Sequence, residues 1–121
     1  MMAENTRSDD DVTHLWLVNN DLPEDVAEEF NQWYSDVHIP QLLQIPGFVS
    51  GRRFALSPVQ NGSKEPELRR YLSVFELAGD PQAVFDALRA AVTAGRVDPA
   101  PFPGSVSTTA NFVPIGPKLT S

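Results

Sequence analysis

The chain has 121 residues with 41% apolar and 21% charged side chains, the size and balance of one globular domain rather than a disordered chain or a two-module enzyme. Sixteen acidic residues against nine basic ones give a formal charge of −7, which disfavours nucleic-acid phosphate and anionic lipid as partners. The chain has no cysteine, so disulfides, thiolate catalysis, iron–sulfur clusters and cysteine zinc sites are excluded, and no run of about 18 apolar residues predicts a membrane span.

Residues 1–11 (MMAENTRSDDD) carry no hydrophobic period and end in three aspartates, so a disordered acidic tail is expected there. The segment also lacks the basic-then-apolar pattern of a secretory signal, which points to a cytoplasmic protein. From Val12 to Asn19 the β-branched and aromatic residues predict a first strand, closed by the turn cluster Asn19-Asn20-Asp21. Pro23 then opens a helical segment with acids in its first turn, where the helix dipole favours them, and Asp21 is the expected cap. Val26, Phe30, Trp33, Tyr34 and Val37 make its apolar stripe, and Pro40 is expected to break it. Gln41 to Ile45 fits one more helical turn before the Pro46-Gly47 turn.

Strand two is predicted over Phe48 to Ser57, with Phe48, Ser50, Arg52, Phe54 and Leu56 on one face and Val49, Gly51, Arg53 and Ala55 on the other. An exposed loop from Pro58 to Pro66 leads into strand three, Leu68 to Leu77. Asp80-Pro81 supplies a cap and first position for helix two, whose buried stripe is Val84, Phe85, Leu88, Ala91 and Val92, and Gly95 ends it. A proline-rich connection, Asp98 to Gly104, precedes strand four at Val106 to Val113. The order βαββαβ names an α+β ferredoxin-like sandwich: an antiparallel four-stranded sheet with both helices on one face. The strands are apolar on both faces, so the uncovered face calls for a partner, and a homodimer through it is the economical expectation.

The densest unusual stretch is Trp33-Tyr34-Ser35-Asp36-Val37-His38-Ile39-Pro40, followed by Pro46-Gly47-Phe48 and Arg52-Arg53. A helix ending W-Y-x-x-V-H-I-P, then L-L-x-I-P-G-F and an arginine-bearing strand, resembles the EthD-like branch of the dimeric α/β-barrel superfamily. The resemblance covers about residues 12–117 as one domain, leaving 118–121 as a C-terminal tail. It implies a homodimer with a hydrophobic pocket between each sheet and its own helices. Relatives of that superfamily include lactone isomerases, polyketide cyclases, anthrone oxygenases and decarboxylases, often working without metal or coenzyme. The position matching the family's recurrent histidine is His38.

Read from the residues themselves, Tyr34 and His38 are four apart and share a face of a continuous helix. A neutral imidazole can take a proton from a carbon acid or phenol, and a tyrosine hydroxyl can orient an enolate oxygen. An inward arginine on strand two can neutralise developing negative charge; Arg53 is favoured if Gly51 lines the cavity, with Arg52 the alternative. The expected catalytic set is therefore His38, Tyr34 and Arg53, with Trp33, Arg52, Phe48 and Phe30 contacting substrate. The plainer readings are a helix-terminal His38 capping carbonyls, core aromatics at Trp33 and Tyr34, and arginines in structural ion pairs. His14 reads as a sheet or interface histidine, and with no carboxylate-rich triad beside it neither a metal nor another cofactor is expected. The expected function is cofactor-independent acid/base chemistry, of isomerase, cyclase, decarboxylase or oxygenase type, on a small hydrophobic aromatic or polyketide-like compound. The alternative is a non-catalytic binding or accessory dimer of the same fold.

Overall fold

The computed structural model describes residues 11–62 and 64–121. The acidic tail expected at the N-terminus therefore lies, up to residue 10, outside the described residues. The elements are β1 (His14–Asp21), a 3-10 turn (Glu24–Val26), α1 (Ala27–Trp33), a π turn (Tyr34–His38), α2 (Ile39–Leu42), β2 (Phe48–Ala55), β3 (Tyr71–Leu77), α3 (Pro81–Thr93) and β4 (Val106–Phe112). All strands pair antiparallel in the order β2-β3-β1-β4, the α+β ferredoxin-like arrangement that the element order predicts. Among the described residues no helix is long and apolar enough to cross a membrane.

The sheet's two faces separate by the two-residue period. His14, Val18, Asn20, Ser73, Phe75 and Leu77 point under the helices and are buried, and Trp16 joins them half-buried against Phe48, Phe75 and Phe85. Leu15, Leu17, Leu72, Val74, Phe54, Ala110 and Phe112 take the other face, which this chain leaves uncovered: Leu15 is 37% and Phe54 42% exposed. The expectation that both faces are buried thus holds for one face within a single chain. Strand β2 departs from strict alternation at a bulge between Phe48 and Ser50. The extra residue moves Phe48 away from the Ser50, Arg52 and Phe54 face and onto the side of Gly51 and Arg53, where it is 1% exposed.

The helices differ from expectation in three places. Asp21 does not cap the first helix; it closes β1, accepts the backbone N–H of Arg70 at 2.8 Å and pairs with the Arg70 and Arg69 guanidinium groups. The chain instead enters through the 3-10 turn, with Val26 N–H donating to the Pro23 carbonyl. Pro40 does not break the helix. A proline ring clashes with the carbonyl four residues back, and the segment up to His38 widens into a π turn, in which Ile39 N–H donates to the Tyr34 carbonyl. The α-helical pattern then resumes, with Leu43 N–H on the Ile39 carbonyl at 2.9 Å. Val92, expected in the stripe of α3, is 51% exposed, whereas Val84 and Ala91 of the same helix are buried.

The ends of α3 follow the sequence signals. Asp80 accepts the Ala83 N–H at 2.9 Å, and Gly95, at φ 76°, closes a Schellman motif in which Gly95 N–H meets the Val92 carbonyl and Arg96 N–H the Ala91 carbonyl. Gly51 sets how closely α2 approaches the sheet. A Cβ there would stand 2.8 Å from the Phe75 ring and 3.0 Å from the Ile39 side chain. Gly51→Ala is expected to destabilise the fold by about 1–3 kcal/mol through overpacking, read as a lower urea midpoint with unchanged m-value.

Candidate active site

The π turn is the device that assembles the site. Closing one turn over five residues brings position i beneath i+5, so the Trp33 indole stacks on the His38 imidazole at 5.0 Å and 21° between planes. Tyr34 meets the same imidazole edge-on at 4.6 Å, and Phe30 lies 5.7 Å from Trp33 and 6.0 Å from Tyr34. These four side chains form one wall of a cleft of about 550 Å³ between the sheet and the helices. Its floor is Val18 and Asn20 of β1 with Ser107 of β4, and its far wall is Val92, Gly95 and Val97. The mouth is bordered by Asp98, Pro99 and Ala100, a segment held by two hydrogen bonds: Gln41 Nε2 donates to Asp98 Oδ2, and Asp98 N–H donates to Gln41 Oε1, both at 2.9 Å. Edge strand β4 is exposed along its whole length, so the cleft stays open on that side.

Arg53 sits behind this wall rather than in it. Its Nε donates to Asn31 Oδ1 at 3.0 Å and its Nη1 to Ser73 Oγ at 2.9 Å, and its guanidinium carbon lies 4.2 Å from the Tyr34 ring centre. The remaining nitrogen, Nη2, is buried without a hydrogen-bond partner. Tyr34 is thus fixed by a cation against its face, by a hydrogen bond with Ser73 and by burial to 4% exposure. Burial raises its pKa, opposed in part by Ser73 and Arg53, which leaves a neutral phenol at physiological pH. His38 moves the other way: burial, with the Arg53 charge adding to it, lowers its pKa to about 4. The imidazole is therefore neutral at pH 7, and its Nδ1 is buried without a hydrogen-bond partner.

Of the residues singled out from sequence, Phe30, Trp33, Tyr34 and His38 come together on the cleft wall, with Arg53 layered on Tyr34. Phe48 is in the core against Trp16 and Phe75, away from the cleft. Arg52 is exposed, over the Phe54 ring, on the sheet's open face. Gly51, taken as a sign that the cavity reaches β2, instead admits Ile39. His14 is fully buried at the opposite end of β1, shares a 2.8 Å hydrogen bond with Thr13 and faces Phe85, so it does not join His38. Among the described residues no three His, Cys, Asp or Glu side chains converge as a metal site.

Sequence reading missed Asn20, Asn31 and Ser73. Asn20 reads as part of a turn cluster, although counting by twos from Trp16 and Val18 carries position 20 onto the helix-side face. Asn31 and Ser73 carry no such signal, since their role comes only from the pairing that lays Arg53 beside Ser73.

No family model matches this chain, and no curated protein matches it. Solved structures do. A candidate monooxygenase from Shewanella loihica PV-4 superposes with a TM-score of 0.61 at 16% identity, over 88% of this chain and 97% of that one. HapK from Hahella chejuensis gives 0.56 at 15% identity, over 89% and 98%. The heme-degrader MhuD from Mycobacterium tuberculosis, with two hemes bound in its active site, gives 0.56 at 19% identity, over 87% and 98%. At these identities the likeness establishes the fold, and the chain shares the ferredoxin-like α+β architecture of all three.

Proposed function

We propose that the chain forms a homodimer of the EthD-like kind and that each cleft takes a small, largely apolar organic molecule for cofactor-independent acid/base chemistry. The reaction types in view are isomerisation, cyclisation, decarboxylation and oxygenation of an aromatic or polyketide-like compound. One observation carries this reading: a neutral imidazole, stacked on Trp33 and with an unpartnered buried nitrogen, in the wall of a cleft large enough for an organic ligand. In it His38 is the general base and Tyr34 the hydrogen-bond partner of the developing oxyanion. Arg53 acts through Tyr34, its charge favouring any phenolate character that develops there.

A second reading, a non-catalytic binding or accessory dimer, draws on the same histidine. With its pKa lowered to about 4, His38 is a weak base until a ligand or a neighbouring charge compensates it. The two readings separate on turnover. Hydroxylated naphthalenes, anthrones and linear polyketide mimics, incubated with and without oxygen and followed by mass spectrometry, are expected to be consumed by the wild type. His38→Gln is expected to lower that turnover by about 100-fold or more while affinity stays within about threefold. Binding without consumption across the panel supports the accessory dimer.

The protonation state is testable by itself. Because the folded pKa of His38 lies below its unfolded value of 6.5, protonation opposes folding: stability is intact above about pH 6.5 and declines as pH falls toward 4. The imidazole carbon shift of His38 in NMR should therefore show a neutral ring at pH 6, and His38→Phe should flatten the melting temperature between pH 6.5 and 4. A residual slope is expected from His14, whose pKa burial also lowers.

The dimer is supported by the open sheet face, where Leu17, Phe54, Leu68, Leu72, Ala110 and Phe112 line an apolar depression of about 450 Å³. Light scattering at micromolar concentration should give twice the chain mass. Leu72→Arg, which buries a charge in that face, should give a folded monomer.

A further inference from the structure

The floor of the cleft holds a polar group with nothing to bind. Asn20 is 2% exposed, lies between Val18 and Ser107 on the cleft floor, and its Oδ1 has no hydrogen-bond partner. Buried polar atoms in folded chains are nearly always paired, and leucine, of similar shape, would fill this position without an unmet hydrogen bond. The position therefore costs the unliganded fold stability, as a recognition group does when its partner arrives from outside.

We infer that Asn20 is the specificity-determining residue of the cleft, its carboxamide accepting a hydrogen bond from a hydroxyl or N–H of a neutral, flat, apolar ligand. The inference rests on the reading of the cleft as a ligand site and adds the class of ligand. Three further features point to the same class. The walls are aromatic and aliphatic, with Trp33 and Tyr34 facing Val92 and Val97, which suits a planar ring system. Among the described residues, the one charged side chain on the surface of the cleft is a carboxylate, Asp98, and no lysine or arginine lines it. The guanidinium of Arg53 does not line the cleft: it lies behind Tyr34, with Nε on Asn31 and Nη1 on Ser73. A carboxylate-bearing ligand would thus meet like charge at the mouth and no cation within, whereas a phenol or amide N–H finds an acceptor waiting on the floor.

The test uses the full chain and three probes that share one ring system: 1-naphthol, 1-methoxynaphthalene and 1-naphthoate, titrated calorimetrically at pH 7. The wild type should bind 1-naphthol at least about tenfold more tightly than 1-methoxynaphthalene, with 1-naphthoate weakest. Asn20→Leu should bring the hydroxy-to-methoxy ratio close to one while its melting temperature equals or exceeds that of the wild type. Asn20→Asp, which keeps an acceptor, should preserve the preference for the hydroxyl. Equal binding of naphthol and its methyl ether by the wild type overturns the inference and leaves the cleft standing as a ligand site. So does a ratio that survives Asn20→Leu, or tightest binding of naphthoate. A marked fall in the melting temperature of Asn20→Leu would assign the residue a structural role and overturn it as well. If none of the three probes binds up to about 1 mM, the reading of the cleft as an aromatic site fails together with it.

Discussion

The structure depends on one irregular turn. A regular α-helix cannot run through Pro40, because the ring would strike the carbonyl four residues back and its missing N–H would leave that carbonyl unpaired. The chain widens into a π turn from Tyr34 to His38 immediately before the proline and resumes its regular winding after it. That one adjustment fixes the relative positions of Trp33, Tyr34 and His38, since only a five-residue repeat brings the indole over the imidazole. It also carries Ile39 onto Gly51, where the bare backbone of β2 admits it, and so seats the whole wall on the sheet. Helix irregularity, proline, glycine and cleft are parts of one solution to a local steric conflict.

Around that turn, the molecule pairs its polar groups carefully in some places and leaves them unmet in others. Arg53 is half-buried and, among the described residues, has no carboxylate partner; two of its nitrogens are bonded and its charge lies on an aromatic face, which favours the cation there. Among the described residues the buried side-chain atoms without a hydrogen-bond partner are His38 Nδ1 and Asn20 Oδ1, whose side chains line the cleft, Arg53 Nη2 behind its wall, and His14 Nε2 at the other end of β1. Buried polar atoms are nearly always paired, so the two on the cleft lining are the observation on which the proposed ligand site stands. The low pKa of His38 and the raised pKa of Tyr34 have the same origin, a dry aromatic surround that keeps both groups neutral.

Much of this was legible in the sequence because it rests on local signals. The strand and helix order follows from periodicity, the start of α3 from Asp80-Pro81 and its end from Gly95, and the cleft wall from the apolar stripe that Phe30, Trp33 and Tyr34 continue. What was not legible rests on pairing between distant segments. The bulge in β2 exists only relative to β3, so strict alternation along the sequence puts Phe48 on the wrong face. Asp21 looks like a cap until β3 brings Arg69 and Arg70 to it. Pro40 reads as a stop, because the signal for a π turn is the steric demand of the proline itself and not a residue pattern. Asn20 reads as a turn residue, and only the length of β1, set by its partners on both sides, turns it inward.

The most direct test of this account is a crystal structure at about 1.5 Å of the protein grown with 1-naphthol, with attention to Trp33 through Pro40 and to the cleft floor. The expected result is a π turn with the indole stacked on the imidazole, His38 Nδ1 making no bond to protein, and ring density in the cleft with its oxygen within about 3.2 Å of the Asn20 carboxamide. An α-helix that kinks at Pro40, with His38 bonded to a backbone carbonyl and the segment 98–104 folded into the cleft, would contradict it.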